Sequence, residues 1–391
     1  MPRRGPDGVR PQSIRPEDIQ GLKYFKLLNN AFSRLRDIGT KRDRAGNREF
    51  FFDQYTSLLL VYFFNPTLTS LRGIQRASQL ERVQKIALCS RVSMGSFSEA
   101  QRVFDADLLQ KVLGELAHRM TPIAHGKEAE ALKNLTAVDG TLLPALPKMV
   151  WALWVSDIKR AAKLHLHFEV LKGVPARASV TAGNDSERQQ LRKMLEPGRL
   201  YVHDGGYESF RLFQDIIDAK SSFIGRVREQ TTWTVIEERP LSDEARRAGV
   251  VADLIVNLGG RKADGVLKQP LRVIRVATVK NGQPFELVLV TDRLELDAEL
   301  IALAYRWRWQ IELFFRWFKC VLGCRHLLAT SENGVQIQVY VALIASLLIS
   351  LWTGCKPTKA TFEMLCHYFT GWATEDELMR HLATLKKTDS R

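Results

Sequence analysis

Two aspartates stand where apolar runs meet glycine. Leu135-Thr136-Ala137-Val138 reads as a strand that ends at Asp139-Gly140-Thr141, and Leu200 to His203 reads as a second that runs into Asp204-Gly205-Gly206-Tyr207. A carboxylate at the carboxyl end of a strand, with small neighbours, is well placed to reach a ligand; Asp-Gly is also an ordinary turn signal. A third carboxylate belongs to a polar stripe. Tyr305, Arg308, Glu312 and Lys319 are spaced 3, 4 and 7 residues apart, so at ~100° per residue they fall within roughly 60° of one another on a helix. Ile311, Phe314, Phe315 and Phe318 mark apolar surface elsewhere on it. The stripe offers a phenol, a guanidinium, a carboxylate and an amine. Solvated Arg308–Glu312 and Glu312–Arg316 pairs, worth about 0.3–0.5 kcal/mol each, are the plain alternative. They do not account for the aromatic rings crowded beside the stripe.

The elements that must carry these groups follow from periodicity. Lys163 to Leu171 alternates, with Leu164, Leu166, Phe168 and Val170 on one face and His165, His167 and Glu169 on the other. This predicts a strand with a polar face at a sheet edge, rather than a metal site. Ala176 to Ala182 and Ser222 to Val227 are further strands. Asp185 and Ser186 cap a helix, and Ser209 to Asp218 is another. Three strands, then helix, strand, helix, strand, predict a mixed sheet covered by helices. Residues 230–290 read as a β-rich insertion, with strand-like runs at Val235-Ile236, Val250 to Leu258, Leu271 to Val279 and Phe285 to Val290. A long helix follows from Asp297 to Leu322, and Thr374-Glu375-Asp376-Glu377 is a capping box for the last one. Before residue 126 the chain reads as helical: Leu22 to Ile38, Phe50 to Phe64, Ser70 to Ala77, Leu80 to Cys89 and Ser98 to His118.

Charge narrows the partner. Lys and Arg number 57 against 43 Asp and Glu, a net of +14, and residues 1–50 alone carry +6. Such a balance favours a polyanion, most simply nucleic acid. Membrane-surface binding would need an amphipathic basic helix, which we do not find. The apolar run Val339 to Trp352 spans 14 residues and contains Ser346 and Ser350, so a buried core helix is expected. Met1 to Pro16 reads as a mobile basic tail without the apolar region of a secretory signal. Five cysteines in 391 residues are too few for a disulfide framework and suit a reducing compartment. Cys320, Cys324 and His326 lack a matching second half for a zinc site. Ser93, Ser96 and Ser98 have no triad partners.

The pattern Y-x2-R-x3-E-x6-K at Tyr305, Arg308, Glu312 and Lys319 resembles the signature helix of DDE-class bacterial insertion-sequence transposases of the type-four group. Ala137-Val138-Asp139-Gly140-Thr141 resembles the family's first acidic strand, and Tyr201 to Tyr207 its second. Val288 to Asp292 resembles the strand that leads into the signature helix. The likeness covers about residues 130–350. Leu142-Leu143-Pro144, after the first motif, departs from the more strongly patterned members.

The resemblance implies an α/β fold: a ribonuclease-H-like catalytic core (126–229 and 291–391, the latter with C-terminal helices), interrupted by the β-rich insertion (230–290) and preceded by a helical, basic DNA-binding domain (1–125). It implies DNA cleavage and strand transfer at transposon ends, with Asp139, Asp204 and Glu312 as catalytic ligands of two Mg²⁺ or Mn²⁺ ions. Tyr305, Arg308 and Lys319 would hold phosphate, and Trp309 is the candidate aromatic at the DNA end, a core tryptophan being the alternative. Double-stranded DNA, both terminal inverted repeats and target, is the implied partner. A homodimer in the synaptic complex and a prokaryotic cytoplasm complete the expectation. A nuclease that cuts without joining, and an inactive DNA-binding derivative, remain as alternatives.

Overall fold

The computed structural model describes residues 32–37, 46, 48–153, 160–259, 266–280, 282–324 and 326–388. The expected basic tail and most of the Leu22–Ile38 helix lie outside them. Nine strands form one sheet: β1 (Leu135–Pro144), β2 (Ala161–Glu169), β3 (Val174–Ala182), β4 (Leu200–His203), β5 (Ser222–Arg226), β6 (Trp233–Glu238), β7 (Val250–Leu258), β8 (Leu271–Lys280) and β9 (Gln283–Thr291). Their spatial order is β3-β2-β1-β4-β5-β9-β8-β7-β6. β1, β2 and β3 are antiparallel; β4 runs parallel to β1, and β5 parallel to β4. β9 pairs antiparallel with β5, and β8, β7 and β6 continue outward. The expected insertion is therefore four strands added to the edge of the same sheet.

Period-two alternation divides the sheet between two apolar layers. Ala137, Val202, Ile224, Ile274 and Leu289 join one cluster. Their sequence neighbours Val138, Tyr201, Phe223, Val273 and Val290 join the other. The helices number, in chain order, α1 (Arg34–Asp37), α2 (Phe52–Phe63), α3 (Leu71–Ala77), α4 (Glu81–Ala87), α5 (Met94–Val103), α6 (Ala106–Arg119), α7 (Lys127–Ala131), α8 (Glu187–Lys193), α9 (Phe210–Asp218), α10 (Asp243–Arg247), α11 (Ala298–Trp307), α12 (Trp309–Cys320), α13 (Glu332–Thr353), α14 (Lys359–Thr370) and α15 (Glu375–Thr388). α8 and α9 cover the second layer through Leu191, Leu212, Phe213 and Ile216. α11, α12 and α13 cover the first through Ile301, Ile311, Phe314, Phe318 and the apolar length of α13.

Several expectations change on folding. Asp139 does not end its strand: β1 continues to Pro144, paired with β2 throughout. Only the parallel pairing with β4 stops, at Ala137–Val202. β2 is an interior strand, so His165, His167 and Glu169 are buried. Burial pulls His165 down to about 4 and His167 to about 3, and Glu169 is held between Lys172 at 2.7 Å and Arg199 at 2.6 Å. The expected Ser98–His118 helix breaks at Phe104, whose ring stacks on Phe52 at 4.7 Å; Asp105 then caps α6 by accepting from the Asp107 amide. The N-terminal helices pack onto the rest of the chain. α2 is buried on all sides, and Gln110 of α6 donates to the Ala178 carbonyl of β3 at 2.6 Å. One apolar cluster runs from Phe32 through the sheet to Leu382.

α13 is long and apolar enough to cross a membrane by length and composition, but 89% of that span is buried within the chain. It packs on α6, α2 and β3, with the Tyr340 hydroxyl donating to Ala178 at 3.3 Å. The final helix has its capping box, Thr374 N donating to Glu377 Oε2 at 2.7 Å.

His203 closes β4. Its ring is fully buried, stacked against Phe213 and Phe223. It lies opposite Gly225 of β5, and a Cβ at Gly225 would fall on the imidazole. Gly225→Ala should therefore cost about 1–3 kcal/mol as an overpacking change, read as a lower Tm. In the His203→Ala background the same change should cost much less. Equal costs in both backgrounds would show that the ring does not set the limit.

Candidate functional site

The parallel register sets two carboxylates side by side. Leu135, Thr136 and Ala137 pair with Leu200, Tyr201 and Val202. Two residues further along each strand are Asp139 and Asp204. Asp139 shares the parity of Ala137 and so belongs to the sheet face covered by α11 and α12, while Asp204 follows β4 at once as the cap of the next turn. Each is steadied locally. Asp139 Oδ1 accepts from the Gly140 amide at 2.8 Å, and Asp204 Oδ1 accepts from Gly206 at 2.8 Å at the start of a short 3₁₀ turn, Gly205–Tyr207.

The expected long helix is divided at Arg308. The Arg308 amide is shared between the Ala304 and Tyr305 carbonyls at 3.2 Å each, and Ile311 N donates to Arg308 O at 3.1 Å. This is a tightened, 3₁₀-like turn within αR backbone. Beyond it Ile311, Phe314, Phe315 and Phe318 are buried, which turns Glu312 and Lys319 toward the strand ends. Arg308 Nη2 donates to Glu312 Oε1 at 2.7 Å, and its Nη1 lies 4.0 Å from Asp139 Oδ2. Its guanidinium sits 5.7 Å from the centre of the Tyr305 ring. Lys319 Nζ donates to Thr141 Oγ1 at 2.9 Å, two residues past Asp139 on β1. Arg308 thus joins Glu312 to Asp139, and Lys319 reaches the same strand.

Trp309 is 51% exposed and Leu313, one turn on, 48%. The core reading of this tryptophan is thereby excluded. Glu187, at the cluster, carries no sequence signal of its own, whereas His203 and Tyr207 lie within the Tyr201–Tyr207 motif without a role that the sequence assigns. Glu187 is the first residue of α8, capped by Ser186, and bears on the charge of Asp139 and Tyr207. Tyr207 is buried, and burial with the charges of Glu187, Asp139 and Asp204 raises its phenol well above the usual range.

The charge state of Asp139 reflects this crowding. Burial pushes its carboxyl up to about 7; the Gly140 amide and Arg308 oppose the shift, while Asp204 and Glu187 add to it. Two hard oxygen donors, one short of compensating charge, suit an oxygen-preferring divalent cation. Among the described residues no three His, Cys, Asp or Glu side chains are gathered into a ready ligand set; Glu312 is instead engaged by Arg308.

Because the folded carboxyl titrates near 7 and the unfolded one near 3.8, its contribution to stability is full below about 3.8 and is lost as pH rises through 7. Asp139→Asn should therefore be more stable than the parent at pH 8, by at most about 4 kcal/mol at about 1.4 kcal/mol per pKa unit, read as a higher Tm. The advantage should vanish near pH 4. A variant no more stable than the parent at pH 8 would mean that Asp139 carries no such burden.

Comparison with known proteins gives the family. A putative transposase of Sinorhizobium fredii (strain NBRC 101917 / NGR234) is 31% identical over 227 residues, 58% of this chain and 62% of that protein. A probable transposase for an insertion sequence element of Geobacillus stearothermophilus is 25% identical over 231 residues, 59% of each. The match thus spans about three-fifths of the length of these two relatives. A putative insertion-sequence transposase of Synechocystis sp. (strain ATCC 27184 / PCC 6803 / Kazusa) is 22% identical over 328 residues, 82% of this chain and 88% of that protein. Residues 130–348 match the family model described as the transposase DDE domain, a span that contains Asp139, Asp204 and the whole Tyr305–Lys319 stripe, and the chain belongs to that family.

Proposed function

We propose that this chain is a DNA transposase that cuts transposon ends and joins them to target DNA by phosphoryl transfer assisted by two divalent cations. The observation that carries the proposal is the placing of Asp139 and Asp204 just past the last paired residues of two neighbouring parallel strands, with Arg308 joining Glu312 to Asp139. The strand order β3-β2-β1-β4-β5 supports a ribonuclease-H-like core, with β6–β9 as its insertion and the N-terminal helices as a DNA-binding region. Asp139, Asp204 and Glu312 would hold Mg²⁺ or Mn²⁺, which when bound would activate the attacking oxygen and stabilise the leaving one. Glu312, held by Arg308 at 2.7 Å, would have to leave that partner to serve as a ligand. Arg308, so released, is aimed at phosphate oxygens as a planar fork. Lys319 supplies a point charge held in line by Thr141. Tyr305 donates a hydrogen bond from beside the guanidinium. Trp309, exposed beside Arg308, offers a stacking face for a base at the transposon end. The net charge of +14 suits double-stranded DNA as partner. A homodimer that synapses two ends, acting in the cytoplasm of a prokaryote, completes the reading.

Asp139→Ala, Asp204→Ala and Glu312→Ala should each abolish nicking of the element's own ends in Mg²⁺ while leaving end binding largely intact. A wild-type nicking rate in any one of them would remove that residue from the site. Joining of a pre-cut end to a target plasmid separates a transposase from an enzyme that only cuts. Trp309→Ala should retain nicking of flexible or mismatched ends and lose a stacking contribution of about 1–3 kcal/mol at the paired end. This is measured as a loss of quenching of a 2-aminopurine placed there. Unchanged quenching would return Trp309 to a passive surface position.

A further inference from the structure

We propose that Glu187 is a fourth carboxylate of the acidic cluster, a positioning residue that strengthens divalent-cation binding at Asp139 and Asp204. The proposal rests on reading those two aspartates as cation ligands. It starts from Gly140, the residue after Asp139, which faces α8 across the sheet. A Cβ built on Gly140 would lie 2.7 Å from Glu187 Oε1. The carboxylate therefore occupies the space that any side chain at position 140 would take. The Gly140 φ is not in the left-handed region, so the backbone admits other residues, and a Cβ there would displace the Glu187 carboxylate.

The start of α8 is fastened to both acidic elements. Lys163 of β2 holds Glu187 Oε1 at 3.5 Å and donates to the Asp185 carbonyl at 3.1 Å. The next residue, Arg188, donates through Nε to the Gly206 carbonyl at 2.9 Å, in the turn that begins with Asp204. Two consecutive residues thus touch the strand of Asp139 and the turn of Asp204. A glutamate needed only to favour the first turn of a helix would extend into water and avoid two aspartates. Glu187 instead lies against Gly140 and bears on the charge of Asp139, and its side chain keeps 30% exposure, enough for contact with solvent. The cluster then receives carboxylates from both faces of the sheet: Glu312 over the α12 side and Glu187 over the α8 side. A carboxylate that orients ligands or bound water from outside the immediate ligand set typically changes metal affinity about 10–100-fold when removed.

The test is a titration of the full-length protein with Mn²⁺, without DNA, followed by electron paramagnetic resonance of the free ion. Glu187→Gln should weaken binding about 10-fold or more with little change in Tm. Gly140→Ala removes no carboxylate but displaces Glu187, and should weaken binding similarly; the double variant should be no weaker than Glu187→Gln alone. Asp139→Asn is the reference and should bind least. Parental affinity in Glu187→Gln with loss in Asp139→Asn would overturn the inference, leaving Glu187 as the partner of Lys163 only. Parental affinity in Asp139→Asn as well would overturn the cation reading itself, and this inference with it.

Discussion

One guanidinium makes the acidic end of this sheet possible. Arg308 is nearly buried, 2.7 Å from Glu312 and 4.0 Å from Asp139. Burial first, and then repulsion from Asp204 and Glu187, raises the pKa of Asp139. Burial by itself would make Arg308 give up its proton more readily; Tyr305, Glu312 and Asp139 outweigh that. The cation and the carboxylates therefore hold each other in place. The same arrangement leaves the guanidinium poised for a competing anion, and the carboxylates for a competing cation. A phosphodiester and a divalent metal ion together satisfy both.

The sheet supplies the precision that charge alone lacks. Parallel pairing of β1 with β4 ends at Ala137–Val202, and the two aspartates stand just past that point, where β1 continues against β2 alone. Asp139 is thus carried by a strand still anchored on one side, while Asp204 leads a turn capped by its own carboxylate. Glycines keep adjacent space free: Gly225 for the His203 ring and Gly140 for Glu187. Placing His203 in a stack with Phe213 and Phe223 makes the end of β4 rigid immediately before Asp204.

Much of this was legible in the sequence, for reasons that differ by element. The stripe was legible because helical period converts spacing directly into direction, and the burial of Phe314 and Phe318 follows from the same arithmetic. Strand positions were legible from alternation. The continuation of β1 past Asp139 was not, because a strand can lose one neighbour and keep another, and the Asp-Gly signal is the same in both cases. The interior position of β2 was hidden by its histidines, whose polarity suggests an edge; Thr181, Lys172 and Arg199 supply the partners that make burial of His165 and Glu169 tolerable. The exposure of Trp309 and the approach of Glu187 depend on how helices pack on the sheet, and no local period encodes that.

The spacing of the stripe itself has a geometric reason. Arg308 and Lys319 are eleven residues apart, about 16 Å along a helix at 1.5 Å per residue. Their contacts on β1, Asp139 and Thr141, are two residues apart, about 7 Å along a strand. The difference of about 10 Å must be taken up by side chains that lean inward from both ends. Arginine and lysine are the two side chains long enough to do so while ending in a charge. Glutamate, shorter, stands between them, one turn from Arg308, whose guanidinium it meets at 2.7 Å. A shorter cation at either end would lose its contact, and a longer interval between them could not be bridged. A long cation, a carboxylate and a second long cation at this spacing thus fasten α12 to β1 through Asp139 and Thr141, before any DNA is considered.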